Sequence, residues 1–191
     1  MTRALALMAV VALAGSAIAS EEEAVQLKIT VEGMSCPTGC APRVAKGLQG
    51  IQGAKEVKLA DFDKGLFTMS FDPKTGISPD AFKKSVEGYK ITKIEATFTG
   101  KVGTNKDKQI VLTTAAGQSY VLTVGAPPEC CKDDKAAKTE KPEESPILKA
   151  LRAKLEGVAK EGKTAKVSGV MAECCDVSVT VATLDVVEAT N

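Results

Sequence analysis

The 191-residue chain contains no histidine and no tryptophan. Without imidazole there is no Ser–His or Cys–His nucleophile arrangement and no imidazole metal ligand. Aromatic residues make up only 4% of the chain, and its formal net charge is +1. The stacking platforms and basic grooves that bind nucleic acid therefore have little to be built from. No surplus of positive charge favours an anionic membrane surface either. The longest apolar run, from Ala4 to Ala14, falls short of the roughly 20 residues that a membrane-spanning helix needs.

That run has a different use. Arg3 precedes it, and Ala17-Ile18-Ala19 follows as an A-x-A site, the pattern of a cleavable export signal. No cysteine follows the cleavage site, so nothing there marks a lipoprotein. Residues 1–19 are expected to be removed, leaving a mature chain that starts at Ser20, is exported, and resides in the periplasm without membrane insertion. Removal takes away only Arg3 among charged residues, leaving 24 basic against 24 acidic side chains.

Six cysteines, an even number in an exported chain, first suggest disulfides. Cys36 and Cys40 stand apart because of what flanks them. The run Val25-Gln26-Leu27-Lys28-Ile29-Thr30-Val31 alternates apolar and polar residues, the period of a half-buried strand. After Gly33-Met34-Ser35-Cys36-Pro37-Thr38-Gly39-Cys40, the segment Ala41 to Leu48 reads as a helix, with Pro42 suited to the first helical position, where a missing N–H has no partner to lose. Two thiols thus sit at a helix N-terminus, with Arg43 nearby. Both features favour thiolate, the form that binds soft metals and attacks disulfides.

Gly33, Met34, Ser35 and Cys36 resemble the start of the Gly-Met-x-Cys-x-x-Cys motif of heavy-metal-associated domains, the family of copper chaperones, metal-pumping ATPase modules and the periplasmic mercury-binding protein. The second cysteine departs from it: three residues, not two, separate Cys36 from Cys40. The resemblance covers residues 24–96. It implies a second strand at Val57-Lys58-Leu59 and a third at Phe67 to Phe71, ending in Asp72-Pro73. It also implies a second helix capped by Ser78-Pro79, and Gly88-Tyr89 before a last strand. Interior positions are expected at Val25, Leu27, Ile29, Val31, Val44, Leu48, Ile51, Phe67, Met69, Phe71, Phe82 and Val86. Met34 is read as core filler, and Tyr89 as a neighbour of the cysteine loop that does not ligate.

From residue 97 the reading changes. Strands are expected at Phe98–Val102, Ile110–Thr114 and Ser119–Val124, then a polar loop to Glu144. A helix capped by Ser145-Pro146 presents Ile147, Leu148, Leu151, Leu155 and Val158 on one face. Gly162 stops it, and strands at Ala165–Met171 and Val177–Val187 follow. This order resembles an OB-fold barrel. Cys130-Cys131 and Cys174-Cys175 fall in two of its loops. Three readings stay open for them. A cross-loop disulfide would close about 43 residues and contribute roughly 4 kcal/mol. A Cys₄ site could hold zinc or Cu(I). A redox or metal-capture dithiol is the third, since a bond between adjacent cysteines is strained and easily reduced.

The sequence therefore predicts an α+β protein: a signal peptide over 1–19, a ferredoxin-like βαββαβ heavy-metal-associated domain over 20–96, and an OB-fold-like barrel with one helix over 97–191. It predicts a non-enzymatic carrier of a soft ion, Cu(I) or Hg(II), held by Cys36 and Cys40. Zinc is an alternative occupant at Cys130, Cys131, Cys174 and Cys175. The expected partners are the metal ion and another metal-carrying protein. Two thiolates suit Cu(I), whereas Mg²⁺ and Ca²⁺ choose oxygen ligands. Two other classes compete: an interaction module whose cysteines are all disulfide-bonded, and a thiol–disulfide redox protein. N-terminal sequencing of the exported protein is expected to begin at Ser20. A start at Met1, or recovery in the membrane fraction, contradicts the export reading.

Overall fold

A computed structural model describes residues 24–125, 145–173 and 177–187. Chain order is β1 (Val25–Glu32), α1 (Cys40–Gln49), β2 (Ala54–Asp61), β3 (Leu66–Phe71), α2 (Pro79–Ser85), β4 (Lys90–Thr104), β5 (Ile110–Thr114), β6 (Ser119–Thr123), α3 (Pro146–Glu161), β7 (Thr164–Glu173) and β8 (Val177–Val186). Among the described residues the protein is α+β, with three helices and a closed β-barrel.

The alternation in β1 is realised residue by residue: Val25, Leu27, Ile29 and Val31 are buried. They face Val44 and Leu48 of α1 and Phe82 of α2 across one apolar layer, with Phe67, Met69 and Phe71 from β3. Phe71 and Phe82 have ring centroids 6.0 Å apart. β1 lies between β3 and β4, antiparallel to both, and β2 pairs outside β3. The strand order in this part is β2-β3-β1-β4. The outer strand β2 is irregular, with two register shifts against β3 and a positive φ at Glu56.

β4 is 15 residues long. Its first half pairs with β1 through Lys90–Thr97. Its second half pairs with β5 through Gly100–Thr104, and on the other edge with β7 through Glu95–Lys101. β5 pairs with β6, β6 runs parallel to β8, and β8 pairs with β7. The ring β4-β5-β6-β8-β7 thus closes on itself as a five-stranded barrel. The sequence reads the end of one unit and the start of the next near Ala96; that point falls inside β4, so the two parts share a strand. Their apolar interiors also form one cluster.

The barrel interior is filled by Phe98, Val102, Leu112, Tyr120, Leu122, Val167, Val179 and Val181, with the Phe98 and Tyr120 rings 4.3 Å apart. α3 packs on β4, β5 and β8. Ser145 caps it by accepting a hydrogen bond from the Leu148 N–H at 3.3 Å, and Gly162 ends it with a left-handed φ of 61°. The sequence places Ile147 on the apolar face of this helix, but it is 78% exposed. The buried positions Leu155, Val158 and Ala159 all lie in the second half of α3, whereas in the first turn Leu148 is only half-buried and Ile147 is exposed. Among the described residues, every buried side-chain N and O has a hydrogen-bond partner.

Gly100 sits where β4 is paired on both edges, opposite Thr114 of β5 and Ala165 of β7. A Cβ there would lie 2.5 Å from the Thr113 carbonyl oxygen and 2.9 Å from Leu112 Cδ2. Glycine in a strand interior marks such close backbone approaches. Gly100→Ala is expected to destabilise the protein by about 1–3 kcal/mol, the usual cost of overpacking. Gly103→Ala in the same strand, where a Cβ meets nothing within 4 Å, is expected to change stability by less than about 1 kcal/mol. Urea unfolding of the two variants side by side checks the contrast.

Candidate metal-binding site

The loop from Gly33 to Gly39 leaves the end of β1 and enters α1. Cys40 is the first residue of the helix, and Gly39 stands at the N-cap with no side chain to cap it. An α-turn precedes the helix: the Cys40 N–H donates to the Cys36 carbonyl at 3.2 Å. The turn places the two cysteines one helical turn apart on one side of the backbone. Their sulfurs are 3.3 Å apart, and both are half-buried free thiols. Pro42 is the third helical residue, within the first turn, where helix N–H groups lack intrahelical acceptors.

Gly39 matters here by its size. A Cβ on it would lie 3.1 Å from Cys36 Sγ, so glycine keeps that flank of the sulfur open. Ser35 Oγ lies 3.6 Å from Cys40 Sγ. Tyr89, just ahead of β4, packs beside the loop, its ring 3.9 Å from where a Cβ on Gly33 would lie, and its hydroxyl acts on the Cys40 thiol. Met34 packs on the core instead, as read from the sequence.

These contacts act on the Cys40 thiol, whose pKa is lowered from 9.0 to about 6. The largest cause is the Ser35 backbone N–H, followed by the Tyr89 hydroxyl, the Cys36 thiol and the Ser35 hydroxyl; desolvation opposes them. Donors aimed at a sulfur favour its anionic form. At neutral pH Cys40 is therefore mainly thiolate. The first turn of α1 carries no acidic residue to compete with that charge. Tyr89 responds in the opposite sense: its hydroxyl pKa is raised, first by its hydrogen bond to Cys40, while the Arg43 charge pulls it down. The sequence points to Arg43 and the helix end as the source of thiolate character; the Ser35 N–H, a backbone group, is not visible at that level.

Among the described residues there is no group of three or more His, Cys, Asp or Glu side chains able to hold a metal ion. The soft donor atoms at this loop are the two sulfurs of Cys36 and Cys40. Two shallow cavities lie elsewhere, one between residues 76–78 and the β5–β6 hairpin, the other outside β4 and β5. Cys130, Cys131, Cys174 and Cys175 lie outside the described residues. The chain matches no protein-family model and no curated protein.

In the reduced protein, alkylation of Cys40 should accelerate as pH rises through about 6, because the thiolate is the reactive form. Tyr89→Phe removes one donor to that thiolate, so the inflection should move to higher pH. The rate of Cys40 alkylation against pH, followed by peptide mass, reads both. An unmoved inflection in Tyr89→Phe would mean that the hydroxyl does not stabilise the anion.

Proposed function

We propose that this protein is a carrier of a soft metal ion, Cu(I) or Hg(II), bound by Cys36 and Cys40, exported to the periplasm and acting without catalysis. The observation that carries the reading is the paired sulfurs 3.3 Å apart at the start of α1. Metal–sulfur bonds of about 2.3 Å, the zinc–thiolate length, place two sulfurs about 3.8 Å apart at a tetrahedral angle and about 4.6 Å apart on a line. Side-chain rotation about χ1 can open the pair by that amount. A two-thiolate set suits ions that accept few, soft ligands, and fits poorly with hard cations that need many oxygens.

The surroundings support the same reading. The strand order β2-β3-β1-β4 supports reading this part as ferredoxin-like, the fold implied by the heavy-metal-associated family that the Gly33 to Cys36 motif resembles. The parallel β6–β8 pair in the closed barrel supports reading the second part as OB-fold-like. A half-buried site on a surface loop lets an incoming thiolate reach the ion while one resident sulfur still holds it. The expected partner is therefore another thiolate-bearing metal carrier.

Competition with a Cu(I) chelator under reducing conditions tests the reading. The reduced chain should bind one ion at this loop. Cys36→Ser and Cys40→Ser should each weaken binding by more than about 100-fold, beyond the 10- to 100-fold typical of losing a mere outer-shell partner. Deleting Thr38 gives the two-residue spacing of the family and should strengthen binding. A reduced wild-type chain that holds no soft ion, with no rescue by the Thr38 deletion, would sink the proposal.

A further inference from the structure

We propose that Cys36 and Cys40 are also a reversible dithiol–disulfide couple that exchanges with small disulfides, and that its closed form shuts the metal site. The exchange stands on the geometry of the pair alone; the gating rests on the metal reading above.

The geometry meets the demands of a disulfide with little movement. The α-turn closed by the Cys40 N–H and the Cys36 carbonyl sets the two Cα atoms about 6 Å apart, as in one helical turn. Bridged cysteines have Cα separations of about 4.4–6.8 Å. The sulfurs already stand 3.3 Å apart, so closing the bond asks for side-chain rotation and leaves the backbone turn in place. Gly39, whose Cβ would press on Cys36 Sγ at 3.1 Å, leaves that sulfur room to turn. Both thiols are partly exposed and neither is engaged elsewhere in a disulfide. The three-residue spacing, which departs from the two-residue motif, is what creates the i, i+4 turn.

The chemistry balances with one named co-reactant, a small disulfide RSSR. One thiolate of the pair attacks a sulfur of RSSR, forming a mixed disulfide and releasing RS⁻. The second cysteine, as thiolate, attacks the protein sulfur of that mixed disulfide, forming the Cys36–Cys40 bond and releasing a second RS⁻. The pair loses two electrons and RSSR gains them. The proton from the second thiol goes to solvent or to a released RS⁻. A closed pair has no thiolate to offer, and metal ligation requires thiolates.

The test uses the full chain and oxidised glutathione. Trypsin cuts after Lys28 and Arg43, so one peptide, residues 29–43, carries Cys36 and Cys40 and none of the other four cysteines. After treatment with oxidised glutathione and alkylation of remaining thiols, this peptide is expected to be lighter than the fully reduced, unalkylated form by two hydrogens. It should carry neither alkyl group nor glutathione. Cys36→Ser and Cys40→Ser should each instead trap glutathione on the remaining thiol. Reductant should restore two alkylatable thiols and, with them, Cu(I) binding. Wild-type peptide that stays dithiol, or that accumulates stable glutathione adducts, overturns the couple whatever the metal result. A pair that closes and reopens but never binds Cu(I) upholds the couple and overturns the metal function. Undiminished Cu(I) binding by the closed form overturns the gating.

Discussion

Hydrogen bonding along both edges of β4 is the constraint on which the rest of the protein depends. Glu95, Ala96 and Thr97 pair with β1 on one side and with β7 on the other. A residue paired on both edges can neither slip in register nor twist independently of its neighbours, because a one-residue slip would turn every side chain to the wrong face. The buried series Ile94, Ala96, Phe98 and Val102 then sets which apolar residues fill the layer beneath α1 and α2 and which fill the barrel. Gly100 occupies the place in that series where β4 pairs with both β5 and β7 and a side chain would strike the Thr113 carbonyl.

The cysteine loop inherits its order from that arrangement. β1 is held by β3 and β4, so the loop leaves from a fixed point. α1 is fixed by Val44 and Leu48 in the same layer, so it arrives at a fixed angle. Tyr89 belongs to the turn that opens β4, and it comes close enough to act on Cys40 because β4 lies beside β1. The site is assembled from three segments whose mutual positions are set by the sheet, and a short α-turn brings the two sulfurs into contact range.

Much of this was legible in the residues. The alternation in Val25 to Val31, the Ser145-Pro146 start of α3 and its Gly162 stop have local causes, and local causes can be read from sequence. The two thiols at a helix start were legible for the same reason. β4 was read as two strands because two complete sets of strands and helices, as read from the sequence, meet near Ala96. Yet the alternation of Ile94, Ala96, Phe98, Gly100 and Val102 runs through that point without a break, and that period was the signal of one strand. Ile147 was misread because helical spacing alone cannot say where along its length a helix meets the barrel. The donors on Cys40 were hidden for another reason. A backbone N–H has no signature in a sequence, and the Tyr89 hydroxyl reaches the sulfur only through pairing between segments about 50 residues apart.

The outer edge of β2 carries a consequence of its own. A straight edge strand is a template on which strands of other molecules can grow. β2 breaks its register with β3 twice, turns through a positive φ at Glu56, and bears Lys55 and Lys58. An approaching strand would find donors and acceptors out of step and charged residues, ion-paired to Asp72 and Glu56, along that strand. The eight-stranded sheet closes into a barrel at one end, and at the other its edge is a poor template for strand addition.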